Sequence, residues 1–299
     1  MDKELEKLIN SVIEKATDDS ETSWYLVEDL VSYYYDHYAN DCQYLDEFME
    51  ALKVSAEKDC RWAKVKISEA VFHFGGSKDM KWLASQYGKE SGLVLGFYFA
   101  ARILEDPEFR PRDYFFNERA GLLGGHMPNE PDFSLRDAAD CYQVVIDSFD
   151  PDDDEFNKFQ DYIIDSATKA ALLFLNKRGF GPGIPIDPDN ELKAYNDLNL
   201  VIKKGNPEQI AYASSILGAA ELKSGNFDIA SDLFIQALDK DPEAILYFYK
   251  ESGFPKESEA LNKLITACEK TIYLTRIFRS PQESDRLNRV LNYFKSLNC

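Results

Sequence analysis

The chain has 299 residues, of which 44% are hydrophobic and 13% aromatic, and a formal net charge of −19 at pH 7. That apolar supply is enough for one large core or two ordinary ones, which argues against disorder, and no window approaches the ~18 apolar residues of a membrane span. The negative charge repels phosphate backbones, so nucleic acid is not an expected partner; the acidity serves either solubility or a basic protein.

The opening segment, MDKELEKLINSVIEK, alternates charged and apolar residues as an amphipathic helix does. It lacks the basic end and apolar run of a secretory leader. Apolar residues at three- and four-residue spacing then predict helices near 2–16, 22–39, 43–57, 58–74, 78–88, 91–105, 112–124 and 134–149. Further helices follow near 153–178, 190–204, 207–224, 227–239, 242–252, 255–275 and 282–297, with strand signals scarce throughout. Ser20, Asp153 and Asn190 stand where a side chain can cap a helix start. Ser280-Pro281-Gln282-Glu283 combines a cap, a first-turn proline and a capping-box glutamate.

Ala213 to Pro242 reads as one helix-turn-helix unit. Gly218, Ala230 and Ala237 are small where two helices must touch, and Leu217, Phe227 and Phe234 supply bulk between them. Gly225-Asn226 makes the turn and Asp241-Pro242 stops the second helix. The spacing resembles a tetratricopeptide repeat at its glycine, turn, alanine, phenylalanine and proline positions, departing at Glu221, where the family usually carries an aromatic.

Residues 165–206 resemble the longer-looped Sel-one-like repeat, with Phe174 in the inner aromatic place, a Gly179-x-Gly181 turn, and Ala194 followed eleven residues later by Gly205. Leu198 stands near that family's tryptophan, and Val201-Ile202 replaces its double alanine. A further relative spans 91–125, with Leu95-Gly96 and Phe99 in its first helix and Phe116, Arg119 and Ala120 in its second. A weaker copy over Trp62 to Gly88 carries a Gly75-Gly76 turn.

A single unit of this kind cannot bury its own apolar face, so the resemblance implies an all-α fold, a right-handed superhelix of stacked hairpins. Residues 1–60 would form acidic, aromatic N-terminal helices, 61–243 the repeat array and 244–299 capping helices, in one continuous solenoid. The resemblance also implies protein binding, through the concave groove or an acidic N-terminal surface.

Catalytic and metal signatures are weak. The GFGPG run at 179–183 lacks the preceding strand and the Gly-Lys-Ser/Thr of a phosphate loop, so it reads as a stiff inter-helix loop. The acidic run from Asp147 to Glu155 lacks the glycine and glutamate spacing of a calcium loop and suits a helix start. His37, His73 and His126 fall in no metal or hydrolase pattern, so neither an enzyme, a cofactor nor a metal is expected. Cys42, Cys60, Cys141, Cys268 and Cys299 are odd in number and widely spaced, as in reduced thiols of a cytoplasmic protein.

From Ala16 to Leu52 there is no Lys or Arg, while ten carboxylates and eight aromatics occur. On the helix predicted over 22–39, Val27, Leu30, Val31, Tyr34 and Tyr38 share a core face, while Tyr33 and Asp29 lie on another with Asp36 close by. Asp29, Tyr33, Asp36, Asp41, Tyr44 and Glu47 are therefore candidate contacts for a basic partner. A solvated acidic face over an ordinary helix pair explains the same residues. The leading expectation is a non-catalytic scaffold or adaptor. The competing ones are a sequestering inhibitor, such as an immunity protein or antitoxin masking a basic toxin, and an enzyme on a helical frame.

Overall fold

The computed structural model describes residues 1–106, 133–175, 188–238, 240, 242–249, 258–278 and 281–297. Among them are fourteen α-helices and no strand, so the fold is all-α. Contacts divide the chain into two compact units, Met1–Ile186 and Asp187–Cys299.

The first unit contains α1 (Lys3–Lys15), α2 (Glu21–His37), α3 (Leu45–Glu57) and α4 (Arg61–Phe74). It continues with α5 (Lys78–Glu90), α6 (Val94–Leu104), α7 (Phe133–Asp147) and α8 (Asp154–Phe174). α1 forms because Asp2 accepts from the amides of Glu4 and Leu5 at 2.9 and 2.8 Å, and because Leu5, Ile9 and Val12 recur on one face, which is buried. Ser20 caps α2 through the Ser23 amide, and Val27, Leu30, Val31 and Tyr34 form its inner stripe. The Tyr34 ring stacks on Phe48 of α3 with centroids 4.1 Å apart. Ser55 reaches back to donate to the Ala16 carbonyl at 2.7 Å, satisfying a backbone acceptor beyond the end of α1.

Where α5 meets α6, Gly88 and Gly96 let two backbones touch. A Cβ at Gly96 would stand 2.4 Å from the Gly88 carbonyl oxygen, and one at Gly88 would stand 2.5 Å from that of Gly96. Neither position has room for a side chain.

The second unit contains α9 (Pro188–Lys204), α10 (Pro207–Lys223), α11 (Phe227–Ala237), α12 (Pro242–Tyr249), α13 (Glu259–Phe278) and α14 (Pro281–Leu297). Asn206 and Gln209 exchange hydrogen bonds as a full capping box at the start of α10. Gly225, with φ of 83°, supplies the left-handed turn into α11. Ala230, Phe234, Ala237 and Leu217 of this hairpin are buried, and so is Ala194 in α9. A Cβ at Gly218 would meet the Phe234 ring at 2.8 Å, so the close contact there is helix against side chain. Glu221, the departure from the repeat pattern, is buried and accepts from the Asn226 side-chain amide at 2.6 Å, fastening the turn. Gly205 follows the last residue of α9, and Pro242 opens α12.

Within each unit, among the described residues, every closely packed helix pair lies one or two places apart in helix order. α4 rests on α2, α3, α5 and α6; α10 rests on α9, α11 and α12. The expected borders at residues 60 and 243 fall inside the units, since α3 packs on α4 and α10 on α12.

Most expected helices stand within a few residues of their predicted bounds. Asn190 is a correction: α9 begins at Pro188, so Asn190 sits within the first turn, 7% exposed, instead of capping it. Asp153 occupies the N-cap position of α8 without a side-chain capping bond. The helix expected over 112–124, Ala120, the Gly179-x-Gly181 turn, Asp241 and Ser280 lie outside the described residues.

Candidate functional site

α2 carries Asp29, Tyr33 and Asp36 at helical spacing, with both carboxylates exposed. Tyr33 is half-buried and belongs to a ring cluster at the end of the helix. It stacks on His37 at 4.2 Å, Tyr38 lies 6.4 Å away, and Tyr44 meets the Tyr38 ring edge-on at 5.3 Å. The Tyr33 hydroxyl donates to Asp2 Oδ2 at 3.1 Å, and the Tyr38 hydroxyl donates to the same oxygen. These bonds, that from Tyr38 foremost, hold the Asp2 carboxyl down at about 2. In return, the Asp2 bond followed by burial lifts the Tyr38 phenol to about 12. The two candidate tyrosines thus join a seam between the start of α1 and the end of α2. Asp41 and Glu47 are exposed beyond it.

At the start of α2, Trp24 stacks on Trp62 of α4 with centroids 5.5 Å apart. Their indole N–H groups donate to Asp19 and Glu28 at 2.7 and 2.9 Å. Lys66, 9% exposed, lies over the Trp62 ring and pairs with Glu28 at 3.1 Å and Glu69 at 2.9 Å. Charge that turns inward on this side of the unit is compensated.

Between α3 and α5 the compensation stops. Both helices pack on α4, with at most marginal backbone contact between them, and they border a groove of about 370 Å³. Its α3 wall is Asp46, Met49, Glu50 and Lys53, spaced three and four apart on one helix face. Its α5 wall presents Met80, Leu83 and Tyr87 with the same periodicity, and Ile67 of α4 contributes to the floor. Met80 and Leu83 remain 37% and 36% exposed, among the large apolar side chains that the fold leaves uncovered. At the rim, Asp46, Glu50, Lys53 and Asp79 make no side-chain hydrogen bond or ion pair among the described residues. Burial first, then the charges of Glu57 and Glu90, raises the Tyr87 phenol above its ordinary value, so the far end of the groove is acidic as well.

Asp46 and Glu50 belong to the lysine-free acidic stretch; Met49, Lys53, Met80, Leu83 and Tyr87 were not candidates. A signal for the last three existed in the i, i+3, i+7 spacing of 80, 83 and 87. The sequence alone does not reveal that this face of α5 meets α3 across a gap.

A second polar cluster joins α6, α7 and α8. Tyr98 donates to Asp165 at 2.9 Å and Tyr142 to Glu105 at 2.7 Å. Arg102 Nη1 donates to the Tyr98 oxygen at 2.8 Å, and the guanidinium lies over the Phe72 ring. Lys169 Nζ stands 3.4 Å from Glu105 and 3.9 Å from Asp165. Two cations balance two carboxylates, and both hydroxyl protons are spent inside the cluster, which suits it to fastening three helices. Burial, with Glu105 next, pushes the Tyr142 phenol well above its ordinary value. Among the described residues no group of three or more His, Cys, Asp or Glu is placed to hold a metal ion, and no helix is long and apolar enough to cross a membrane.

Comparison with protein-family models, curated proteins and solved structures finds no match to this chain.

Proposed function

We propose that the chain is a non-catalytic protein-binding scaffold of tetratricopeptide and Sel-one-like character, with its helix hairpins stacked in a right-handed superhelical sense. Among the described residues, close packing between helices one and two places apart in order supports that reading, because repeat arrays bury their apolar faces against neighbours. The observation that carries the function is the α3–α5 groove: methionine and leucine left open to solvent beneath three carboxylates that make no side-chain hydrogen bond or ion pair among the described residues. An apolar floor with a charged rim is how protein interfaces are commonly built. The protein acts by docking a basic partner there, with Asp29, Asp36, Asp41 and Glu47 extending the negative field that draws it in.

The net charge of −19 equally favours a sequestering inhibitor that masks one basic protein, such as a toxin. In either role the place of action is the cytoplasm, where the free thiols of Cys42, Cys60, Cys141 and Cys268 stay reduced. A photo-crosslinking residue at Leu83, with a control at the exposed Tyr273 of α13, tests the docking face in the native host. Capture at Leu83 alone supports it; equal capture at both sites, or none, refutes it. A single basic protein in the adduct favours the inhibitor, and several clients favour the scaffold.

A further inference from the structure

We infer that the α3–α5 groove takes a two-turn amphipathic helix of its partner, apolar along the buried face and flanked by Lys or Arg; this rests on the docking reading above. Length comes first. Asp46 to Lys53 and Met80 to Tyr87 are each eight residues, seven helical rises or about 10 Å, which matches two turns of a guest helix. Met49, Met80 and Leu83 make the walls apolar above Ile67, and methionine adapts its shape to an incoming apolar ridge.

Hydrogen bonding then selects helix over extended peptide. An added strand needs a free sheet edge or side chains that can both donate and accept along its backbone. The groove is walled by helices whose backbone groups are spent internally, and among the described residues no Asn, Gln, Ser or Thr lines it. Lys53 and the Tyr87 hydroxyl are the side-chain donors in that lining, so most carbonyls of an extended guest would be buried unpaired against thioether and methyl groups. A helix satisfies its own backbone and presents side chains alone. Charge sets the flanks. Asp46, Glu50 and Asp79 against Lys53 leave the rim net negative, and among the described residues these carboxylates have no ion pair to displace.

The probe is a phage-displayed library of random 16-residue peptides, selected on the full-length protein and counter-selected on the Leu83→Lys variant. Leu83 and Glu50 both lie at the surface, so substitutions there leave the fold standing. The expected winners carry apolar residues at i, i+3 or i+4, and i+7 with Lys or Arg beside them. The best of them loses about tenfold or more in affinity against Glu50→Lys, on a central proline, or on raising salt from about 50 to about 500 mM. Enrichment of acidic or proline-rich sequences that still require Leu83 overturns the basic-helix inference while leaving the docking groove intact. Failure to enrich any Leu83-dependent peptide also overturns it, and crosslinking at Leu83 then judges the docking reading separately.

Discussion

The carboxylate of Asp2 caps the first turn of α1 and, through Tyr33 and Tyr38, also ties that turn to the end of α2. Its pKa is lowered from 3.8 to about 2, so its contribution to stability is present above the unfolded value and is lost as pH falls from about 4 towards 2. Tyr38 runs the other way. Its phenol is raised from 10.0 to about 12, so its contribution is present below pH 10 and is lost as pH rises towards 12. Asp2→Asn is expected to flatten the acid limb of urea-denaturation midpoints plotted against pH; an unchanged acid limb would show that the seam carries no linkage. Cysteine reactivity separates just as sharply. Cys42 is exposed in a left-handed turn, with φ of 50°, whereas burial pushes the Cys141 and Cys268 thiols up to about 12. With a thiol reagent at pH 8, mapped by mass spectrometry, Cys42 should be labelled well before Cys60, Cys141 or Cys268. Comparable labelling of all four in the native protein would contradict their burial. The tyrosines of this region were visible in the sequence, but their partner was not: Asp2 lies thirty-six residues from Tyr38, and no local spacing links them.

The glycine contacts rank the helix pairs by how much they can yield. At Gly96 the obstacle is the Gly88 carbonyl, fixed in the backbone of α5; at Gly218 it is the Phe234 ring, which can turn aside. Gly96→Ala should therefore destabilise more than Gly218→Ala, and Gly218→Leu should cost about 1–3 kcal/mol by overpacking. Urea denaturation of the three variants checks this, and a milder loss for Gly96→Ala than for Gly218→Ala would refute the ranking. Helices themselves were largely readable, because apolar residues at three- and four-residue spacing are the same residues that pack, as Leu5, Ile9 and Val12 do in α1. Ends were harder. The start of α3 was placed near 43, yet Cys42 and Tyr44 both take positive φ, which holds the chain out of the helix until Leu45. Asn190 misled because Pro188, preset for a first turn, starts α9 before it.

Close packing between near neighbours, as seen among the described helices, gives each unit a graded response to damage. Leu5→Ala, which should cost about 2–5 kcal/mol at a fully buried site, is expected to speed amide exchange in α1, α2 and α3 while α7 and α8 of the same unit keep their protection. Hydrogen-exchange mass spectrometry reads this directly, and a uniform loss across the unit would mean that its helices melt as one. At this scale the sequence was least informative about the candidate site. Acidity and aromatic content pointed towards the N-terminal third, but the groove exists only because α3 and α5 rest on α4 with a gap between them. No periodicity within one helix encodes a space between two others.

The stacked indoles of Trp24 and Trp62 have one more consequence. The chain has three tryptophans, and the third, Trp82, also lies before the division at residue 187. Emission excited at the red edge therefore originates wholly in the first unit, with Trp82 on α5 beside the groove as a natural optical sensor. Melting of the second unit is silent in that signal and must be followed through tyrosine absorbance or peptide dichroism, so one denatured sample can give two separate curves.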